Sequence, residues 1–365
     1  MKNKIRDIII TITFLVLIFG FFILNIITED KKISTTERRI LQQFPMPTKE
    51  TVFNGKYSKD FEKYAQDQFA YRDIFRDIKG FNHFKVYRQL DNNGYYIKGN
   101  MIFKQAENFK PSEIRKASTK INYINSLLTE NNKAYYSIVP DKNYYEEDND
   151  LRYNYEGLVD IFKKEIDSNI TYIDLFDILA LNDYYNTDTH WKNENLIKVC
   201  KRFEEVLGIN LPLKNVKIVT KGEFDGVYSN QIGINHDLKD TLRYITTDDI
   251  LASTTYNLET NKEGKIYDED RWVKAQDKYD YFLSGATPYI EIRNPNNTSG
   301  KELIIFRDSF GSSITPLLVE GYSKITLVDL RYMSSQVLDK FITFTNQDVL
   351  FLYSTLVINN ASTLR

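Results

Sequence analysis

The reading of this chain turns on eight residues, Phe306-Arg307-Asp308-Ser309-Phe310-Gly311-Ser312-Ser313. A short apolar run, Leu303-Ile304-Ile305-Phe306, leads into them, and a helix-like run, Ile314-Thr315-Pro316-Leu317-Leu318-Val319-Glu320, follows. Strand, sharp turn with a serine, then helix is a layout that lifts a nucleophilic hydroxyl above the end of a sheet. The start of the helix offers unpaired backbone N–H groups and a positive dipole end, which suit a developing oxyanion. The same residues also read as an ordinary polar turn, so the assignment depends on what the rest of the chain supplies.

Outward from Ser309, strand and helix patterns alternate. Strands are expected over 302–306, 324–330 and 348–356, with helices over 313–321 and 334–344 between them. These form two consecutive βαβ units, right-handed by the general preference for such crossovers. The rhythm also appears upstream: helix 113–130, strand 133–139, helix 158–166, strand 171–176. The fold class is therefore α/β, a mostly parallel sheet with helices on both faces. Ligands in such sheets bind at the carboxyl ends of the strands, and Ser309 sits at one of them. Residues 213–297 break the rhythm with short β-like runs at 216–220, 241–246, 281–283 and 289–293. They are expected to form a β-rich insertion at the ligand end. A hairpin is expected over 95–103 around Gly99-Asn100.

A serine nucleophile needs a base, and the base needs an orienting group. Of three histidines, His190 has the right company, in Asn186-Thr187-Asp188-Thr189-His190-Trp191. In an extended segment residues i and i+2 project to one side, so Asp188 can hold one ring nitrogen of His190 while the other faces Ser309. The competing reading is a helix start, with Asp188 or Thr189 as its cap. Asp308, next to Ser309, is expected to point away from the hydroxyl. For the oxyanion, the backbone N–H groups of Ser309 and of Gly285, in Ser284-Gly285-Ala286, are the candidate donors. Arg307, Arg331 and Trp191 are candidate substrate contacts, against the plainer reading of the arginines as charged surface residues.

Composition excludes some classes. The 365 residues are 42% hydrophobic and 27% charged, with 48 basic and 50 acidic residues and a net charge of -2. No basic run stands out, so nucleic acid is not an expected partner. With one cysteine and three histidines, no Cys/His zinc site of the usual spacings is expected, nor any other metal or cofactor. Cys200 falls on an apolar helical stripe with Leu196, Val199 and Phe203, as a buried structural thiol would.

The N-terminus points to a membrane. Residues 8–27, IIITITFLVLIFGFFILNII, are twenty uncharged and mostly apolar residues. As a helix they span the roughly 30 Å hydrocarbon core. Lys2, Lys4 and Arg6 precede them, which puts residues 1–7 in the cytoplasm and the rest outside. No small-residue cleavage site ends the run, so an uncleaved anchor is expected over a signal peptide. Residues 28–57 read as a polar stalk and 58–365 as the α/β domain, opening with a helical pattern over 58–90.

Asp188-Thr189-His190-Trp191 resembles the signature of the DHHW family of extracytoplasmic bacterial proteins, with Thr in place of the first His. The N-terminal anchor, Asp67-Gln68-Phe69-Ala70-Tyr71-Arg72-Asp73, Phe224-Asp225-Gly226, Asp308-Ser309-Phe310 and Asp329-Leu330-Arg331-Tyr332 carry the resemblance along the chain. The family is similar to the periplasmic alginate O-acetyltransferases, whose catalytic domain is an SGNH-hydrolase-like α/β fold. The resemblance implies Asp188 as orienting acid, His190 as base and Ser309 as nucleophile. It implies an O-acetyltransferase acting on a cell-surface or secreted polysaccharide, with acetyl groups supplied through a multi-pass membrane acyltransferase. Ala286 departs from the pattern, which tends to have Asn there. A carbohydrate acetylesterase with the same triad, or an inactive polysaccharide-binding or assembly protein, are the alternatives.

Overall fold

The computed structural model describes residues 2–37, 39–146, 153–234 and 236–365. The chain divides into two compact units, Met1–Gly94 with Asn230–His236, and Tyr95–Ser229 with Asp237–Arg365. The boundary thus falls near residue 94, not at 57. The segment expected as a stalk is folded into the first unit. It contains a strand pair, Ile33–Ser34 with Arg39–Ile40, and a short helix, Lys49–Phe53. Its charges are internal partners: Arg39 forms a two-pronged ion pair with buried Asp67, whose carboxylate also accepts the Gln42 N–H at 2.8 Å. The helical pattern over 58–90 is two helices, Lys56–Asp67 and Arg72–Phe81, broken where Tyr71 adopts a left-handed φ of 58°.

The second unit is built on an eight-stranded sheet. Its strands are β1 (Lys133–Val139), β2 (Thr171–Tyr172), β3 (Thr254–Asn257), β4 (Lys262–Gly264), β5 (Tyr289–Arg293), β6 (Glu302–Arg307), β7 (Lys324–Val328) and β8 (Asp348–Ser354). The spatial order is β4-β3-β5-β7-β6-β8-β1-β2. From β7 to β2 all neighbours are parallel; β5, β3 and β4 continue the sheet antiparallel. After β7 the chain passes over β6, so β8 lands on its far side. The carboxyl ends of β6, β8 and β1 therefore lie side by side, and the turns that follow them share one edge.

Period-two alternation puts the strand side chains into two cores. Leu303 and Ile305 of β6, with Leu350 and Leu352 of β8, meet Val199, Cys200, Phe203 and Leu207 of the helix Ile197–Leu207. Ile304, Phe306, Val349 and Phe351 face the opposite side, against the helices Pro111–Asn125 and Tyr155–Glu165. Cys200 is buried as expected, and burial pushes its thiol well above the ordinary range.

The region 213–297 is only partly an insertion. Lys217–Phe224 and Asp240–Thr246 pair antiparallel apart from the main sheet, but 254–293 supplies three of the main sheet's own strands. The run 281–283 is not a strand; it closes a tight 3₁₀ turn, Lys278–Tyr281. Its aromatics satisfy a packed aromatic cluster with Tyr185 and Phe224 instead of a ladder. The hairpin Tyr95–Lys98 with Met101–Lys104 forms as expected, with Gly99 at φ 57° in its turn.

Candidate active site

Strand β6 ends at Arg307, and the chain turns sharply before the short helix Gly311–Ile314. Asp308 locks the turn. One carboxylate oxygen accepts the Phe310 N–H at 3.0 Å and the other the Ser354 N–H at 2.8 Å, tying the turn to the end of β8. Asp308 is thereby occupied and faces away from the Ser309 hydroxyl, which is left at the partly open edge of the sheet.

His190 Nε2 lies 2.7 Å from Ser309 Oγ, and His190 Nδ1 lies 2.6 Å from Asp188 Oδ1. Asp188 also accepts the His190 backbone N–H at 3.0 Å and, through Oδ2, the Val227 N–H at 2.7 Å. Burial pushes this carboxyl up. The imidazole beside it and the N–H bonds outweigh that and hold it well below the usual carboxylate range. An ionised carboxylate only accepts, so Nδ1 carries the ring proton and Nε2 is free to take one from Ser309. The His190 ring stacks on Tyr279, with centroids 3.8 Å apart and planes 7° off parallel. The structure thus brings together the three side chains that the spacing suggested.

The Asp188 loop is held from three sides. Asp240 accepts the backbone N–H groups of Asn186 and Thr187 and the Thr187 hydroxyl, at 2.7, 2.6 and 2.6 Å. Gly226 packs so close that a Cβ there would meet the Thr187 carbonyl oxygen at 2.3 Å and Asp188 Cβ at 2.6 Å. Gly226→Ala must therefore displace the acid; we expect at least about a tenfold fall in turnover, since an ångström of misplacement is that costly, read by steady-state kinetics beside an unfolding curve.

Lys142, just past β1, is the third support and was not anticipated from sequence. Its buried ammonium donates to the carbonyls of Tyr185, Asn186 and Asp188 at 3.1, 3.2 and 2.8 Å, under the rings of Phe103 and Tyr228. The one signal for it was its place directly after a strand's carboxyl end. Lys142→Met takes this donor from the buried Tyr185 and Asp188 carbonyls, while the Asn186 carbonyl keeps the Ile102 N–H at 2.8 Å, and should cost about 2–4 kcal/mol in urea unfolding. Burial also drives the Lys142 ammonium down to about 7, against the pull of Asp188, Asp240 and Asp141. Above that pH the unfolded chain binds the proton the folded one has lost, so this group makes stability rise with pH from about 7 toward 10. Urea curves at pH 7, 8 and 9 should show that rise in the wild type and a smaller one in Lys142→Met.

Four expected contacts have other duties. Trp191 is fully buried; its indole N–H reaches the Phe310 carbonyl at 3.2 Å and Ser313 Oγ at 2.8 Å, bracing the serine turn from below. Tyr279 donates its hydroxyl to the same Ser313 Oγ at 2.6 Å. Arg307 is also fully buried and donates to the carbonyls of Asp308 and Gly285 and to Ser312 Oγ, so it is a strut and not a clamp on substrate. Gly285, at φ 80°, donates its own N–H to the Phe282 carbonyl at 3.1 Å, so that donor is already committed. Arg331 places Nε and Nη2 on the fully buried Asp329 at 2.9 and 2.6 Å. A buried carboxylate needs such a countercharge, which takes Arg331 inward. Among the candidates, the Ser309 N–H remains as oxyanion donor. No group of three or more His, Cys, Asp or Glu side chains suited to a metal ion occurs among the described residues.

The DHHW protein family matches residues 168–328, a span that contains Asp188, His190 and Ser309. Over that span this chain is similar to the DHHW proteins. A DHHW family protein from Eubacterium siraeum has a similar structure, with a TM-score of 0.59 at 20% identity over 75% of this chain and 95% of that one. PatB1 of Bacillus cereus gives a TM-score of 0.58 at 20% identity, covering 72% of this chain and 96% of its own. The same protein with a sulfonyl adduct gives 0.56 at 19% identity, covering 72% and 95%. No curated protein matches this chain in sequence. The likeness at these identities is one of fold.

Proposed function

We propose that this protein is a membrane-anchored, extracytoplasmic O-acetyltransferase of a cell-surface or secreted polysaccharide, working through an acyl-Ser309 intermediate. The observation that carries the reading is the unbroken chain Ser309 Oγ–His190–Asp188, at 2.7 and 2.6 Å. His190 Nε2 takes the Ser309 proton as Oγ attacks the acyl carbonyl. The carbonyl π bond opens onto oxygen, and the Ser309 N–H faces that oxyanion. Collapse expels the donor's alkoxide, which leaves with the proton from His190. A sugar hydroxyl then gives its proton to His190 and attacks the acyl carbonyl; the bond from Ser309 Oγ to the acyl carbon breaks, and His190 Nε2 returns the proton to Ser309 Oγ, leaving the acetylated sugar and free enzyme. Water in place of the sugar makes the same site an esterase. The similarity to the DHHW family over 168–328 and the fold shared with PatB1, a structure of which carries a sulfonyl adduct, support acyl chemistry at such a site.

Among the described residues one helix, Lys4–Ile27, is long and apolar enough to cross a membrane. The basic residues before it favour an outward-facing C-terminal unit. An acyl donor brought across the bilayer by a multi-pass membrane acyltransferase fits that placement. The test is to incubate the protein with an activated acetyl ester and measure the mass of the Ser309 peptide. Acetyl on that peptide, absent in Ser309→Ala, is expected. No adduct, with equal ester turnover by both proteins, would overturn the enzyme reading. Oligosaccharide acceptors added to the reaction then divide transfer from hydrolysis.

A further inference from the structure

The helix Arg72–Phe81 in the N-terminal unit carries an apolar face that the described residues of its own unit leave largely exposed, apart from the edge of Phe75. Ile74, Phe75, Ile78 and Phe81 recur at three- and four-residue steps, and all four are 42–56% exposed. The opposite side is committed inward. Arg72 and Arg76 pair with Glu37, and Gly80 is buried. Asp77 and Lys79 flank the apolar arc, both exposed. A soluble surface helix shows the reverse, with its apolar stripe inside and its charges out.

The neighbour on that side says what covers it. Phe21 of the long N-terminal helix stacks on Phe69 at 5.5 Å between centroids and meets Phe75 edge-on at 5.6 Å. Asn25 of the same helix accepts the Ala70 N–H at 2.8 Å. Phe21 precedes the end of that helix, Ile27, by six residues, or about 9 Å along the axis. The segment 69–81 is thus tied to the spanning helix at a level inside its apolar run. An amphipathic helix lying in a bilayer interface buries its apolar face roughly 5–10 Å deep, which is the same depth.

We propose that Arg72–Phe81 is an interfacial membrane helix, lying in the leaflet where the spanning helix emerges, with Ile74, Ile78 and Phe81 in lipid. The occupant of the face is phospholipid. The inference rests on the anchoring reading above but not on the acyl chemistry. Such a helix makes the protein bitopic and monotopic at once, with a second membrane contact that fixes the rotation of the N-terminal unit about its anchor.

The test uses the full chain in vesicles of phosphatidylcholine and phosphatidylglycerol. Single cysteines replace residues 73–79 and 81 in turn, with Val16→Cys as a reference inside the span; the native Cys200 is buried. Each is spin-labelled, and its collisions with oxygen and with a water-soluble nickel chelate are compared. Expected is a 3.6-residue oscillation, with loss of nickel access and gain of oxygen access at 74, 78 and 81, and the reverse at 73 and 77. Equal nickel access around the helix, with Val16 shielded, would overturn the proposal while leaving the anchor intact. Nickel access at Val16 as well would remove the anchor and this inference together. Face positions open to nickel in pure lipid, yet closed in membranes of a producing cell, would make the occupant a protein and overturn it. A wild-type control with a photoactivatable phospholipid needs no substitution; adducts on the 69–81 peptide are expected, and their absence counts against the proposal.

Discussion

Ser309→Ala is expected to lower acyl transfer by about 10⁴–10⁶-fold in kcat, since the nucleophile of a hydrogen-bonded triad acts as a unit with its base. Stability should change little. The Ser309 hydroxyl is only partly buried, and its hydrogen bond with His190 Nε2 is worth about 1 kcal/mol net. Burst kinetics with an activated acetyl ester, beside a urea unfolding curve, check both halves. The pairing of a large kinetic loss with a small thermodynamic one is what distinguishes a nucleophile from a buried structural hydroxyl. Ser313 is the useful contrast. Its hydroxyl is buried and accepts from Trp191 and Tyr279, so Ser313→Ala should show the opposite balance, with a cost of about 1–3 kcal/mol.

Asp188→Asn is expected to lower kcat by about 10⁴-fold with the backbone in place. The present carboxylate accepts at both oxygens: Oδ1 from the His190 backbone and ring, Oδ2 from the Val227 N–H. An amide has one accepting end. If its oxygen stays on His190, its NH₂ faces the Val227 N–H, donor against donor. If it flips, the NH₂ meets Nδ1 and forces the proton onto Nε2, which then cannot take the proton from Ser309. Either arrangement also removes the negative charge that stabilises the imidazolium. A pH profile of kcat/KM locates the effect: the loss should persist across the profile, because the missing charge is not restored by pH.

Several of these features were open to reading from the chain alone. The alternation of Leu303-Ile304-Ile305-Phe306 between two cores follows from a period of two, and β6, β7 and β8 form close to their expected bounds. The two-residue step from Asp188 to His190 sets both side chains on one side of an extended segment, and the family signature points to the same pair. Such patterns are local, so they survive without knowledge of the neighbours. The twenty-residue apolar run at 8–27 is of the same kind, because a helix's length and polarity are written in consecutive residues.

Where the fold departs from these expectations, the cause is different. Arg307, Arg331 and Trp191 are candidates by residue type alone, and a guanidinium or an indole serves equally well on a substrate or inside a fold. Their partners decide between the two, and those lie far off in sequence: Gly285 for Arg307, Ser313 for Trp191. Gly285 looked like a free donor until its turn closed onto Phe282. Residues 28–57 looked solvated because their charges are visible in sequence while the buried Asp67 that receives Arg39 is not. The strands within 254–293 read locally as an insertion because the pairing of β5 with β7 is a long-range choice, made by which sheet edge remains open. Lys142 has no local mark of function beyond its place after a strand's carboxyl end; three carbonyls from residues 185–188 give it its role. What consecutive residues carry is periodicity, polarity and short-range geometry, and these specified the sheet strands, the membrane-length helix and the Asp188–His190 pair. Which polar groups are consumed by the fold and which are left for chemistry depends on contacts between distant segments, and the chain reveals that only once it is folded.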